Sequence, residues 1–343
     1  MNLWQEYKRP ASISEAIQDL TSATGSVMPI AGGTDLLLDL KQGRHAPVHT
    51  LIDLTFVPEM TVLELRGDEL YIGAAVPVNR VALNLLTGVH AQALVEACNL
   101  IAGPQVRNTA TLGGNVAHAL PAADGTIALL ALDAQAEIAS TSGIRRVRFK
   151  ELFLGPGKSA LKHGEELLVG FYLPLKKYNQ ASCFKRIMRP QGVALPILNC
   201  AVWLDREKDI VKDIHIAVGP GGGTPFRATE AESTLRGQFF NENTFSRTLE
   251  SLLGQAQLAL LRQPERGRFF RGGFLAPFDG NQRFERRQRI AAQTVALAVN
   301  QDQSSAVAAD EIANPLHLLL IVIALLVFPV LKMSKQKFLY IVI

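Results

Sequence analysis

The chain reads as an α+β protein of two unequal domains, and three observations lead there. At 343 residues, with 48% hydrophobic and 19% charged side chains, it can bury two ordinary cores and is too apolar for a disordered or fibrous chain. From residue 1 to about 175, short helical and strand-like patterns alternate. From about 176 to 300, strand-like runs come first and helical stretches follow, the order of an antiparallel sheet covered by helices.

Taken in order, Ser12-Ile13-Ser14-Glu15 has the form of a capping box, and Ile13, Ala16, Ile17 and Leu20 share one helical face. Val27 to Ile30 is a short buried strand that enters Ala31-Gly32-Gly33-Thr34-Asp35 directly. Thr50 to Leu54 is a further strand. Met60–Leu65 and Leu70–Gly73, separated by Arg66-Gly67-Asp68-Glu69, form a hairpin. Residues 91–101 read as helix and lead to a second glycine turn, Thr111-Leu112-Gly113-Gly114-Asn115. A helix is predicted from about Gly125 to Leu132. Beyond a polar hinge at Leu175 to Gln180, strands are expected at Ser182–Met188, Pro196–Leu204 and Val211–Val218. Gly219-Pro220-Gly221-Gly222-Gly223 ends that run, and helices follow at about 227–236, 242–261 and 283–300.

Consecutive glycines carry no Cβ, so successive backbone N–H groups can converge on an anion. Two such turns, each with a threonine hydroxyl (Thr34, Thr111), could grip a pyrophosphate from two sides. Gly155-Pro156-Gly157-Lys158-Ser159-Ala160 imitates a dinucleotide fingerprint. However, Pro156 stiffens the turn, His163-Gly164 ends any helix early, and Lys176 and Lys177 stand where an acid is needed. The same stretch fails as a P-loop because Leu152 occupies the first glycine position. The 7 histidines show no metal spacing, no nucleophile elbow occurs, and His118 is read as a packing residue. Cys98, Cys183 and Cys200 are far apart, which excludes a disulfide framework and an iron–sulfur cluster held by this chain. The net charge of +4 is local to the arginines between 262 and 289, so the folded body has no basic face for nucleic acid. That segment reads as a solvated surface or a seam toward an acidic partner. Chemistry is therefore expected from a bound cofactor.

The ordered set AGGTDLL (31–37), IAGPQVRN (101–108), TLGGN (111–115) and PAAD (121–124) resembles the flavin subunit of the molybdenum hydroxylases. This is the medium-subunit family of xanthine dehydrogenase and carbon monoxide dehydrogenase. Tyr7-Lys8-Arg9-Pro10, GPGK (155–158), Glu165-Glu166-Leu167-Leu168 and Phe184-Lys185 agree in order and spacing, so the resemblance spans about residues 3 to 300. It implies a two-lobed FAD-binding domain of the vanillyl-alcohol-oxidase (PCMH) type over 1–175 and a smaller α+β domain over 176–300. A hydrophobic tail, 301–343, falls outside it. The resemblance implies FAD held without a covalent link. Its pyrophosphate would lie on the backbone of Ala31, Gly32, Gly33, Thr34, Asp35, Leu36 and Leu37, and of Thr111, Gly113, Gly114 and Asn115. It places Asp124 at the flavin nucleotide, Ile101 beside the ring, Leu168 in a strand lining the ring, and Lys185 as a nearby cation. Arg107 falls within the IAGPQVRN motif, and Ile101 stands where some relatives carry an aromatic. The implied partners are a molybdopterin-binding large subunit and a small subunit carrying [2Fe–2S] clusters.

The function expected is that of an oxidoreductase subunit. Electrons leave a substrate at molybdenum elsewhere, cross iron–sulfur clusters, and pass through FAD to NAD, a quinone or oxygen. A purine substrate is favoured over an aldehyde, carbon monoxide or an aromatic thioester. A flavin-empty assembly subunit would have no use for intact glycine pairs. A self-contained oxidase with covalently linked FAD would often use His or Cys near the first loop, and neither occurs between 29 and 40. The N-terminal residues have no secretory pattern, and a cytoplasmic location is expected. The apolar run Leu316 to Leu331 is short for a spanning helix of about 20 residues. Peripheral contact with the inner face of the membrane, a partner contact and an aberrant extension stay open for it.

Overall fold

The structure, a computed structural model, describes residues 3–188 and 195–261. The arginine segment, the helix expected at 283–300 and the apolar tail lie outside the described residues. Glu6–Lys8 (β1), Val27–Ile30 (β2) and Thr50–Asp53 (β3) form a parallel sheet in the order β1-β3-β2. Between β1 and β2, Ile13–Ser22 (α1) packs through Ala16, Ile17 and Leu20. Its N-cap forms as expected, Ser12 Oγ accepting from the Glu15 amide at 3.1 Å, while the Glu15 carboxylate reaches one residue further back and accepts from the Ala11 amide at 2.7 Å. Leu36–Lys41 (α2) follows the first glycine loop.

A second sheet is antiparallel and defines the other lobe. Its strands are Leu63–Arg66 (β4), Glu69–Gly73 (β5), Gln135–Ser140 (β6), Gly143–Arg148 (β7) and, after a small hairpin of Phe153–Gly155 (β8) and Lys158–Ser159 (β9), Leu167–Pro174 (β10). The order is β4-β5-β10-β6-β7. The expected hairpin at 60–73 is present, but its first arm starts later because Pro58–Thr61 (α3) forms a helical turn with Pro58 in its first position. GPGK at 155–158 is the tip of the β8–β9 hairpin, with the Gly157 amide bonded to the Ala119 carbonyl at 3.0 Å, so no phosphate loop exists there.

Six helices join β5 to β6: Val78–Leu83 (α4), Leu85–His90 (α5), Gln92–Leu100 (α6), Pro104–Arg107 (α7), Leu112–Ala117 (α8) and Asp124–Ala131 (α9). Every residue of α9 is buried, as its near-unbroken apolar sequence requires. Burying Ile127, Leu129 and Leu130 contributes about 1.5–3 kcal/mol each.

The second domain is a four-stranded antiparallel sheet of Gln180–Met188 (β11), Pro196–Glu207 (β12), Ile210–Gly219 (β13) and Phe226–Arg227 (β14), followed by Thr229–Leu235 (α10) and Glu242–Leu261 (α11). Strand alternation divides its side chains. Cys200, Val202, Leu204, Ile214, Ile216 and Val218 form one core with Ala231, Leu235 and Leu252 of α10 and α11. Phe184, Ala201 and Ala217 leave the opposite face and join the main core beside α9. Helix α6 closes the free edge of β11. The Ala93 amide donates to Ser182 Oγ at 3.1 Å, and the Phe184 amide donates to the Glu96 carboxylate at 2.7 Å.

Candidate functional site

One close approach sets the loop after β2. Gly32 lies against Thr109 and Ala110, where any Cβ would overlap the Thr109 carbonyl. Gly33 turns the chain at φ +65° and delivers it into α2. The amides of Gly32, Gly33, Thr34, Asp35 and Leu36 then have no hydrogen-bond partner among the described residues. Gly32, Gly33 and Thr34 form one wall of a pocket of about 410 Å³ that Leu37, Lys41, Gln105, Val106 and Thr109 help complete. Unpaired amides on a left-handed turn, with a lysine beside them, make an anion-binding concavity. The volume is that of a small-molecule site, roughly 300–1,000 Å³. A second recess of about 420 Å³, lined by Pro77, Asn79, Arg80, Leu83, Asn84 and Asn108, offers a ligand less. Arg80 is spent on the Thr61 carbonyl at 2.8 Å, and Asn79 on Asn108 at 2.7 Å.

The second glycine segment is the first turn of α8 rather than a free turn. Thr111 is its N-cap, and Thr111 Oγ1 accepts from the Gly114 amide at 3.1 Å. The amides of Leu112 and Gly113 donate to the carbonyls of Val76 and Ala74 at 3.1 and 2.8 Å, and the Asn115 amide donates to the Thr111 carbonyl. These groups are engaged within the protein. Gly113 is glycine because a Cβ would collide with Ala74, whereas Gly114 is exposed and meets only Thr111 Oγ1, at 3.1 Å.

Asp35 and His118 tie the two segments together, Nδ1 to Oδ2 at 3.6 Å. Contact with the Asp35 carboxylate raises His118 above the ordinary 6.5, and His118 holds Asp35 below the usual carboxylate range. His118 was expected only to pack; it is a half-buried bridge to the first loop. Ile101 caps the C-terminus of α6 and packs against the core. Arg107 donates to the carbonyls of Ile101 and Ala102 at 3.1 and 2.8 Å, shaping the turn in which Ala102 sits at φ +46°. Leu168 is buried on β10.

Asp124 opens α9 with its carboxylate between Arg186 and Asn199 of the second domain. Burial pushes this carboxyl up, against the pull of Asn199 and Arg186. Alternation along β11 sends Phe184 and Arg186 toward α9, and Cys183, Lys185 and Ile187 to the opposite face. The structure thus assembles the first loop, the 101–109 turn, the start of α8 and His118. Asp124 joins them through the 118–124 segment, and Lys185 stands apart. Lys41, Arg186 and Asn199 were not legible as site residues, the last two because they lie 62 and 75 positions from their partner. Among the described residues no cluster of metal-ligating side chains occurs. Burial pushes the cysteine thiols up, Cys183 to about 12.

Comparison with known proteins decides between flavin chemistry and other anion-binding uses of such a loop. The family model "FAD binding domain in molybdopterin dehydrogenase" matches residues 3–176, and "CO dehydrogenase flavoprotein C-terminal domain" matches residues 182–268. The chain belongs to the FAD-binding subunits of the molybdopterin dehydrogenases. It is 32% identical to the xanthine dehydrogenase FAD-binding subunit of Escherichia coli O157:H7, covering 72% of this chain and 84% of that one. It is 30% identical to the carbon monoxide dehydrogenase medium chain of Hydrogenophaga pseudoflava, covering 69% and 82%. The solved carbon monoxide dehydrogenase of Hydrogenophaga pseudoflava aligns with a TM-score of 0.69 at 28% identity, covering 73% of this chain and 86% of that one. This FAD-binding subunit is therefore an oxidoreductase component with the two-domain architecture of its family. Among the described residues, no helix is long and apolar enough to cross a membrane.

Proposed function

We propose that the chain carries FAD, non-covalently, as the electron-transfer subunit of a molybdopterin hydroxylase or dehydrogenase. Electrons would arrive from [2Fe–2S] clusters in a small partner subunit, after substrate oxidation in a molybdopterin-binding large subunit, and leave to NAD, a quinone or oxygen. The observation that carries this reading is the first loop: the unpaired amides of Gly32, Gly33 and Thr34 line a pocket with Lys41, and a Cβ at Gly32 would overlap the Thr109 carbonyl. These residues fit a pyrophosphate. When bound, FAD supplies the one- and two-electron chemistry.

The chain's own residues hold and orient it. Ala31 to Leu37 take the pyrophosphate, exposed Gly114 leaves room for its approach, and the Arg107-braced turn presents Ile101. Leu168, buried on β10, would line the ring, and Asp124 would contact the nucleotide. The division at residues 175/176 separates the flavin domain from the second domain. The buried free thiols of Cys98 and Cys200 support a cytoplasmic setting. A purine-oxidising complex is the first to test, supported by the likeness to a xanthine dehydrogenase subunit. Co-purification with its neighbours in the complex, followed by reduction of the bound flavin on adding xanthine, checks the substrate. Flavin reduced by an aldehyde or carbon monoxide but not by a purine would reassign it.

A further inference from the structure

Arg186 on β11 and Asn199 on β12 are register partners in the antiparallel ladder, so both side chains leave the sheet on one face, toward α9. Both close on Asp124. The Arg186 guanidinium donates to Oδ2, and Asn199 Nδ2 donates to Oδ1 at 2.9 Å and to the Ala122 carbonyl at 3.0 Å. The side chains of Arg186 and Asp124 are 6% and 4% exposed. Gly219 seats the end of β13 beneath the same turn, where a Cβ would overlap the Pro121 carbonyl. The 121–124 turn of the first domain is thus gripped by the second. At its other end, three residues before Pro121, His118 contacts Asp35 of the first loop.

A buried ion pair is a poor device for stability alone, because apolar replacements of similar volume often do as well. A charge-assisted bond from Arg186 to Oδ2 and an amide bond from Asn199 to Oδ1 do fix the direction of this carboxylate. A carboxylate has about four acceptor positions, and the described partners use two of those on Asp124. At 4% exposure the carboxylate is buried, so the clasp acts by fixing the turn that carries it.

We infer that Arg186 and Asn199 are positioning residues for the flavin nucleotide, holding the Asp124 carboxylate and its turn in the geometry that binds FAD. This rests on the FAD reading above. It makes the second domain part of the cofactor site.

Titration of the full chain with FAD, followed by flavin fluorescence, tests it, with the melting temperature of the FAD-free chain recorded in parallel. Arg186→Met is expected to weaken FAD at least about tenfold, and Arg186→Lys, which keeps a charged donor, to restore most of that loss. Asp124→Leu combined with Arg186→Met leaves no unpaired charge, so it should melt near wild type and bind FAD no worse than Asp124→Leu alone. Arg227→Met breaks the buried Arg227–Glu232 pair elsewhere in the second domain, and should lower melting without changing FAD affinity. Additive losses in the double variant, wild-type affinity in Arg186→Met, or equal FAD losses in Arg186→Met and Arg227→Met would each overturn the inference. A wild-type chain that takes up no FAD overturns the reading beneath it, and the clasp as a flavin device with it.

Discussion

Gly32, Gly113 and Gly114 belong to the same two motifs yet are glycine for different reasons, and the difference sets what each substitution should do. At Gly32 a methyl group would strike the Thr109 backbone, so Gly32→Ala should unseat the loop. The expected cost is about 1–3 kcal/mol, with loss of FAD, checked by melting and flavin absorbance together. Gly114 is exposed, a Cβ there would meet only the Thr111 side-chain oxygen, at 3.1 Å, and it lies in the first turn of a helix where an acid is tolerated. Gly114→Asp should therefore keep the fold but lose FAD about tenfold or more by repulsion; unchanged affinity would remove α8 from the pyrophosphate site.

The His118–Asp35 contact gives a pH signature at the same scale. His118 is raised, so its contribution is full below about 6.5 and lost as pH rises through the folded value. Asp35 is lowered, so its contribution is present above about 3.8 and lost as pH falls through the folded value. The bridge is thus strongest between those limits. Both side chains are partly solvated, so it contributes at most about 1 kcal/mol. FAD affinity measured from pH 5.5 to 8.5 should fall slightly in the wild type, and His118→Gln should flatten the slope.

At the scale of elements, legibility followed how local each signal was. The α1 cap, β2 and the three long strands of the second domain were readable because their caps and periodicities are contained within a dozen residues. Segment 111–115 read as a turn because two adjacent glycines oppose helix formation by about 1 kcal/mol each. The structure offsets that with the Thr111 cap and with two amides bonded to Val76 and Ala74, neither visible from the local sequence. Thr111→Ala should therefore cost about 0.5–2 kcal/mol in urea unfolding. Ser12→Ala should cost a similar amount with no effect on FAD. The short helices α4 and α5 gave no readable pattern, because six residues hold less than two turns. Strand alternation turns Lys185, the cation expected near the flavin, to the face opposite Arg186.

At the scale of the whole molecule, the two domains share one buried layer. Helix α9 lies between the second lobe of the flavin domain and the sheet of the second domain, and Asp124 at its start is held by Arg186 and Asn199 of that sheet. The first loop could be recognised from its glycines, but the clasp that closes the site arises only from tertiary pairing. The central claim is that this fold exists to hold FAD on the first loop. Equilibrating the purified full chain with FAD, removing free flavin and recording the visible spectrum tests that most directly. The expected result is about one flavin per chain, with bands near roughly 370 and 450 nm, released intact by acid and lost in Gly32→Ala. A chain that stays colourless, or one whose flavin content is unchanged by Gly32→Ala, would contradict it.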